Sequence, residues 1–541
     1  MSTTSRFPLA AIAVAVAAVA VVWKQRQKQK EEQTRKQQPI IKFSEPELRM
    51  IQAPMIKDGE QREDVSEVDQ WLSHSSHWLP FCIRFDEPLD VERVCDGLQR
   101  TLAHIHALGA RFDSTTNKSM YQIVLSPHQH GVPVEIVHGT TTVPKDLPDE
   151  SSPRSAWQAA GLGAPPPGFT GAPGPNDPLL RVRIITISTS DAANITSATP
   201  TTVSYLAIGI SHGLGDGHSV ADILQVWSHL CGTDDITTLP PTLSTPRTLG
   251  HRITQPYRPA ADRTALETRV SHDLGSSLNP LRFWTFFGHV LPRAMWCISQ
   301  QRVVEVRIRA DRVQALKDTL PLKAPEEWVS RFEVVMAALL VAQRVTASYD
   351  RATTRKQQQH KLFVACDLRG RIDRFPNDYF GNAAFDFCEH VTLPPASWTT
   401  DHLVQVAKEL HRGIRHGLSQ PDEITKAKDW FEAARHLGWN NQYDVWPIVL
   451  DTFKGTGTFV NSWGHRWLDI SMGGKENARA MVAYFGVAQN LLVEVPRCNN
   501  AATRGDTTVH VALPRAHADR FVAFCEKQTR NDATFPFSVV A

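Results

Sequence analysis

The sequence predicts a mixed α/β protein (α+β mixed sheets) folded as two lobes, and three observations lead there. First, apolar, β-rich runs end in glycine turns and continue as helical stripes. Val203 to Ile210 is such a run, and Val220, Ile223, Leu224, Trp227 and Leu230 follow it at helical spacing. Second, both halves contain strands and helices, with no short-period repeat. Third, Thr237 to Pro259 between them is rich in Pro and Thr and lacks apolar periodicity, which marks the start of a long crossover. A chain of 541 residues has room for such halves at the usual size of roughly 150 residues per compact unit.

In order along the chain, Pro8 to Trp23 is uncharged and rich in Ala and Val, and Lys24, Arg26, Lys28 and Lys30 follow it. This reads as an N-terminal hydrophobic anchor over residues 1–23, at the lower length limit for crossing a bilayer. The cations place the rest of the chain on the cytosolic side. A cleaved signal, with Ala18-Val-Ala20 as its cleavage site, and an organellar presequence are the competing readings. Residues 24–59 are a polar stalk, 60–236 a first lobe, 237–300 the crossover and 301–541 a second lobe.

In the first lobe, Leu79 to Phe85 reads as a strand and Val91 to Leu108 as an amphipathic helix. Tyr121 to Leu125, Val132 to Val137 and Leu179 to Ile187 are further strands, the last a neighbour of the Val203 run. Gly161 to Pro178 is a Gly/Pro-rich surface loop. In the second lobe, Val303 to Ile308 is a strand, and Asp311 caps a helix through Leu316. Trp328 to Thr346 is an apolar helix and Leu362 to Cys366 a strand. Met481 to Phe485, Leu491 to Val495 and Val509 to Leu513 are strands, and Ala516 to Lys527 is a closing helix.

The composition removes several classes. A net charge of +2, with no basic stripe interleaved with aromatics, gives nucleic acid no footprint. The eight cysteines include no Cys-x-x-Cys pair, so neither a common zinc spacing nor a disulfide framework is present, and no metal is expected. They read as reduced, mostly buried thiols.

The chemistry is concentrated where the Val203 strand ends, at His212-Gly-Leu-Gly-Asp216-Gly217. Gly213, Gly215 and Gly217 allow a tight turn, and Ser219 followed by Asp222 has the spacing of a helix cap and its reciprocal acid. A strand thus delivers one imidazole to its end. Such a ring titrates near neutrality and can take a proton from an alcohol or amine attacking a thioester. Asp216 can fold back either to orient the ring or to pair elsewhere. On its own, the pattern is equally that of an ordinary turn histidine near a helix N-terminus.

Several further blocks accompany it. Asp367-Leu-Arg369-Gly-Arg371 is followed by Tyr379-Phe-Gly381-Asn382, Asn461-Ser462-Trp463 lies nearer the C-terminus, and Val509-His-Val-Ala-Leu513-Pro reads as a last strand. In order and spacing these, with His212 to Gly217, resemble the BAHD acyltransferases, the acyl-CoA-dependent superfamily of plants and fungi, over about residues 60–530. The family's D-F-G-W-G element is reduced here to Asp469-Ile-Ser-Met-Gly473; in the family it is structural. Condensation domains place a second His before the motif where this chain has Ser211, and lipoyl transacylases carry the motif near their C-terminus.

The resemblance implies two chloramphenicol-acetyltransferase-like lobes with an active-site channel between them. It implies transfer of an acyl group from acyl-CoA, a co-substrate rather than a bound cofactor, to a hydroxyl of a hydrophobic secondary metabolite or glycolipid, by a monomer. His212 is then the general base, worth about 10²–10⁴-fold in rate. Asp216 is a structural acid pairing with an arginine, Arg369 first and Arg371 second. Trp463 offers its indole N–H to the oxyanion or packs in the core. Ser462 contacts acceptor or cofactor, Asn382 holds the channel wall, and Gly217 and Asp469 are structural; His218 and His465 take no catalytic part. An N-acyltransferase, or an inactive acyl-CoA-binding protein of the same fold, are the alternatives.

Overall fold

The structure, a computed structural model, describes residues 42–52, 61–64, 78–113, 122–125, 131–141, 177–189, 202–233, 235–239, 243, 301–320, 329–347, 358–371, 376–419, 457–462, 470–474, 480–483, 491–496, 506–532 and 535–540. The expected anchor at 8–23, the Gly/Pro loop before residue 177 and nearly all of the crossover lie outside them. Among the described residues no helix is long and apolar enough to cross a membrane.

The first half contributes β1 (Lys42–Phe43), β2 (Glu47–Ile51), β3 (Gln61–Asp64), β4 (Trp78–Phe85), α1 (Val91–His104), β5 (Arg111–Asp113), β6 (Gln122–Leu125), β7 (Val132–Thr141), β8 (Leu180–Thr189), β9 (Thr202–Ser211) and α2 (Gly217–Gly232). The second contributes β10 (Gln301–Ile308), α3 (Ala310–Thr319), α4 (Arg331–Thr346), β11 (Gln358–Asp367), β12 (Ala384–Leu393), α5 (Thr400–Ser419), β13 (Gly457–Ser462), β14 (Ala480–Ala483), β15 (Leu491–Pro496), β16 (Thr507–Pro514), α6 (Arg515–Asn531) and β17 (Phe537–Val540).

Among the described residues, two seven-stranded mixed sheets organise the fold, with β3, β6 and β5 in a small third one. The first runs β1-β7-β8-β9-β4-β14, with β2 also on β7, and the second runs β12-β11-β13-β15-β16-β10-β17. On β9 the alternation is simple. Leu206, Ile208 and Ile210 pack with α1 and α2, whereas Val203, Tyr205 and Ala207 join a separate apolar cluster with Cys82, Ile185 and Ile187. Both faces of β9 are buried, which is why it reads as an unbroken apolar run. The Trp227 indole N–H donates to Val94 O at 2.9 Å where the two helices cross. In the second half α4 is buried on almost every side, so its sequence is apolar all round rather than striped.

Several boundaries differ from the sequence reading. Residues 42–51, taken as stalk, form β1 and β2 on the edge of the first sheet; Leu48 and Met50 remain exposed, so burial leaves no pattern there. The first lobe also does not end at residue 236, because β14 pairs antiparallel with β4 and completes the first sheet from the other half of the chain. α1 stops at His104, and the rest of its predicted span is a 3₁₀ turn at His106–Gly109. Asp311 lies inside the first turn of α3, paired with Arg309; Asp506 accepts from the first-turn N–H of Ala310 instead. α4 begins at Arg331 because Ser330 and Glu333 form a reciprocal capping box.

The remnant Asp469–Gly473 element follows the same logic. Asp469 lies outside the described residues, but Ile470 and Met472 are buried in the first core. Ser228 Oγ on α2 accepts from Ser471 N (2.9 Å) and Met472 N (3.2 Å). Arg93 on α1 donates to Gly473 O at 3.0 Å and to Cys231 O at 2.6 Å. Gly473 has φ +77, and a Cβ there would meet Cys231 O at 2.7 Å and Arg93 Cδ at 2.8 Å. The retained glycine is therefore required where this strap sits on the first lobe. Gly473→Ala is expected to destabilise the protein by about 1–3 kcal/mol, measured by denaturant unfolding.

Candidate active site

β9 ends at Ser211, and His212 opens the turn that leads into α2. The helix begins three residues earlier than the Ser219 and Asp222 spacing suggested. Asp216 is its N-cap, accepting from Ser219 N at 3.0 Å, and Gly217 is its first residue. Asp216 does not turn toward the imidazole. Its Oδ1 also accepts from Arg369 Nη2 (3.0 Å), and its Oδ2 accepts from Arg369 Nη1 (2.9 Å) and Ala383 N (2.9 Å). The pairing anticipated between Asp216 and Arg369 is present as a two-pronged ion pair; Arg371, the second candidate, is exposed.

This pair is deeply buried, with side chains 2% and 6% exposed, so its remaining hydrogen-bond capacity has to be met. Arg369 meets it through Tyr379 O (2.8 Å), Gly381 O (2.6 Å), Ser219 Oγ (3.1 Å) and Asp367 Oδ1 (2.9 Å). Burial by itself would raise the Asp216 carboxyl; the Arg369 guanidinium and the N–H groups of Ala383 and Ser219 outweigh it and hold the pKa below the ordinary carboxylate value. Burial likewise opposes charge on Arg369, and Asp216 and Asp367 more than offset it. Ser219 Oγ also donates to Gly381 O (2.8 Å) and accepts from Gly381 N (3.0 Å). Gly381, at φ +143, takes a backbone conformation that suits glycine.

That glycine turn presents Asn382, which is fully buried. Its Nδ2 donates to His212 O at 2.6 Å, which fixes the amide orientation because a carbonyl can only accept. Asn382 Oδ1 therefore faces His212 Nδ1 at 3.0 Å, and Nδ1 carries the hydrogen. The neutral ring is thus left with its lone pair on Nε2. Asn382 is thus the partner that sets the tautomer of His212.

The other expected site residues divide. Parallel pairing of β11 with β13 brings Asp367 and Ser462 to the same end of the second sheet, where Ser462 is half-buried. Trp463, His465 and Asp469 lie outside the described residues. Sequence reasoning missed the contributions of Ser219, Gly381 and Asn382 to one polar hub. The available signal was the Gly-Asn pair, a residue suited to positive φ followed by an amide, twelve residues beyond Arg369. Among the described residues no cluster of His, Cys, Asp and Glu could hold a metal.

Two sheets that meet at a strand-borne histidine and a buried Asp–Arg pair define a recognisable class, the BAHD-type acyltransferase fold. The Transferase family model matches residues 203–447, which include His212, Asp216, Arg369 and Asn382. The fold is shared with F. graminearum TRI101 complexed with coenzyme A and deoxynivalenol, at TM-score 0.58 and 14% identity, covering 89% of this chain and 100% of that one. It is shared with vinorine synthase at TM-score 0.55 and 14% identity, covering 89% and 96%. It is also shared with TRI3 trichothecene 15-O-acetyltransferase from Fusarium sporotrichioides at TM-score 0.51 and 9% identity, covering 90% and 97%. No curated protein matches the chain by sequence. The resemblance to the BAHD superfamily read from the motifs is borne out by the family model and by the fold.

Proposed function

We propose that this chain is an acyl-CoA-dependent O-acyltransferase that acylates a hydroxyl of a hydrophobic secondary metabolite or glycolipid. The observation that carries this reading is the Asn382 amide, which leaves Nε2 of His212 as a proton acceptor. His212 Nε2 takes the acceptor's hydroxyl proton as that oxygen attacks the thioester carbonyl. The tetrahedral oxyanion collapses, the carbon–sulfur bond breaks, and the imidazolium returns the proton to the departing CoA thiolate. The Trp463 indole N–H is the proposed donor to the oxyanion, and Ser462 the proposed acceptor contact. The fold relatives support the substrate classes: TRI101 is described with coenzyme A and with T-2, and TRI3 as a 15-O-acetyltransferase. The apolar run at 8–23 is proposed to tether the enzyme to a membrane with its body in the cytosol, where it meets apolar acceptors as a monomer.

The test is release of free CoA thiol from short- and long-chain acyl-CoAs over panels of alcohols and amines, with the product identified by mass. Thiol release coupled to ester formation supports the proposal; amide products alone would reassign it as an N-acyltransferase, and CoA binding without release would leave a binding protein. Within this reading, Asn382→Ala frees the ring and its tautomer. kcat is expected to fall about 10–100-fold while KM for acyl-CoA stays near wild type, in steady-state kinetics.

A further inference from the structure

A second bridge between the two halves lies beside the Asp216–Arg369 pair, and no step above uses it. His218, the second residue of α2, donates from Nδ1 to Asp367 Oδ2 at 2.6 Å. Its Nε2 stands 3.7 Å from Asp222 Oδ2, one turn further along the same helix. The imidazole is 11% exposed and Asp222 4%, so both are largely withdrawn from water. Asp367 closes β11, and its other oxygen accepts from Arg369 N (3.0 Å) and Arg369 Nη1 (2.9 Å). One carboxylate is thus shared between His218 on α2 and Arg369 beyond β11.

Local helix physics gives no reason for this histidine. α2 is already capped by Asp216, and the first turn of a helix disfavours positive charge. An imidazole here gains from Asp367 and Asp222, that is, from holding α2 against the end of β11. The contact continues to the base: Arg369 Nη2 binds Gly381 O at 2.6 Å, and the next residue, Asn382, sets the His212 ring.

We propose that His218 is a positioning residue for acyl transfer: it clasps α2 to Asp367, and through Arg369 and Gly381 holds Asn382 and His212 in register. The proposal rests on the acyltransferase reading given above. It gives His218 a positioning role, beside the sequence reading that it takes no catalytic part.

The experiment is steady-state transfer from acetyl-CoA to the best alcohol found for the wild type. His218→Ala is expected to lower kcat about tenfold with KM for acetyl-CoA within about twofold. His218→Asn, whose amide N–H can stand where Nδ1 stands, is expected to recover kcat to within about threefold of wild type. An alanine variant with wild-type kcat, or an asparagine variant no better than alanine, overturns the clasp. Should His218→Ala fail to fold, Asp222→Asn replaces it: a kcat reduced about threefold supports the clasp, and an unchanged kcat overturns it. If the wild type itself releases no CoA, the acyltransferase reading fails, and the clasp is then judged by ¹⁵N imidazole spectra of the full chain. A His212 signal that moves from the Nδ1–H form toward a tautomer mixture in His218→Ala supports it; an unchanged signal overturns it.

Discussion

His212→Ala is expected to yield a folded protein whose kcat for acyl transfer has dropped about 10²–10⁴-fold, the usual worth of a positioned base. The ring is only half-buried and stands in a turn, so its loss opens no large core cavity. The backbone bond from Asn382 Nδ2 to His212 O survives the substitution and keeps the turn in place. Unfolding midpoints near wild type, together with the loss of CoA release, are the combined result. Near-wild-type turnover by the purified variant would remove the base from His212.

Arg369→Met is expected to have the largest effect on folding, about 3–5 kcal/mol, because it leaves the Asp216 carboxylate buried without its partner. Denaturant unfolding measures it. Asp216→Leu combined with Arg369→Met is expected to be markedly milder than Arg369→Met alone, since the desolvated charge goes with its partner. Acid should act on the same pair. The folded-state pKa of Asp216 lies below its unfolded value of about 4, so its contribution is complete above that value. It is lost as the pH falls through the lower, folded pKa. Wild-type stability should therefore decline more steeply in strong acid than that of Asp216→Asn, which has no carboxylate there to protonate.

Much of this site was legible because its parts are local. A strand buried on both faces reads as an apolar run whatever surrounds it, so the end of β9 and the turn after it are visible in residues 203–217. The Asp216–Arg369 pair followed from resemblance, because 153 residues separate the partners and no periodicity links them. The Ser219 cap was misread since two side chains near the turn, Asp216 and Ser219, each have capping chemistry; tertiary contacts decide, giving Asp216 to the helix and Ser219 Oγ to Gly381. Asn382 was legible as a residue but not as a role, because its task depends on where Gly381 turns the chain. β14 was legible as a strand, yet nothing in Ala480–Ala483 says which sheet it joins. Strand pairing over such a distance is set by what remains exposed on β4.

That last placement bears on how the molecule is made. The neighbour of β4 is translated about 400 residues later, and the chain returns at once to the other sheet to form β15. A ribosome still short of Ala480 carries a first sheet with one open edge at β4, a ready template for pairing with another nascent chain. The two halves are sewn together by a late stitch, so neither is a natural unit for expression alone, and a stop codon anywhere before residue 480 leaves that seam undone.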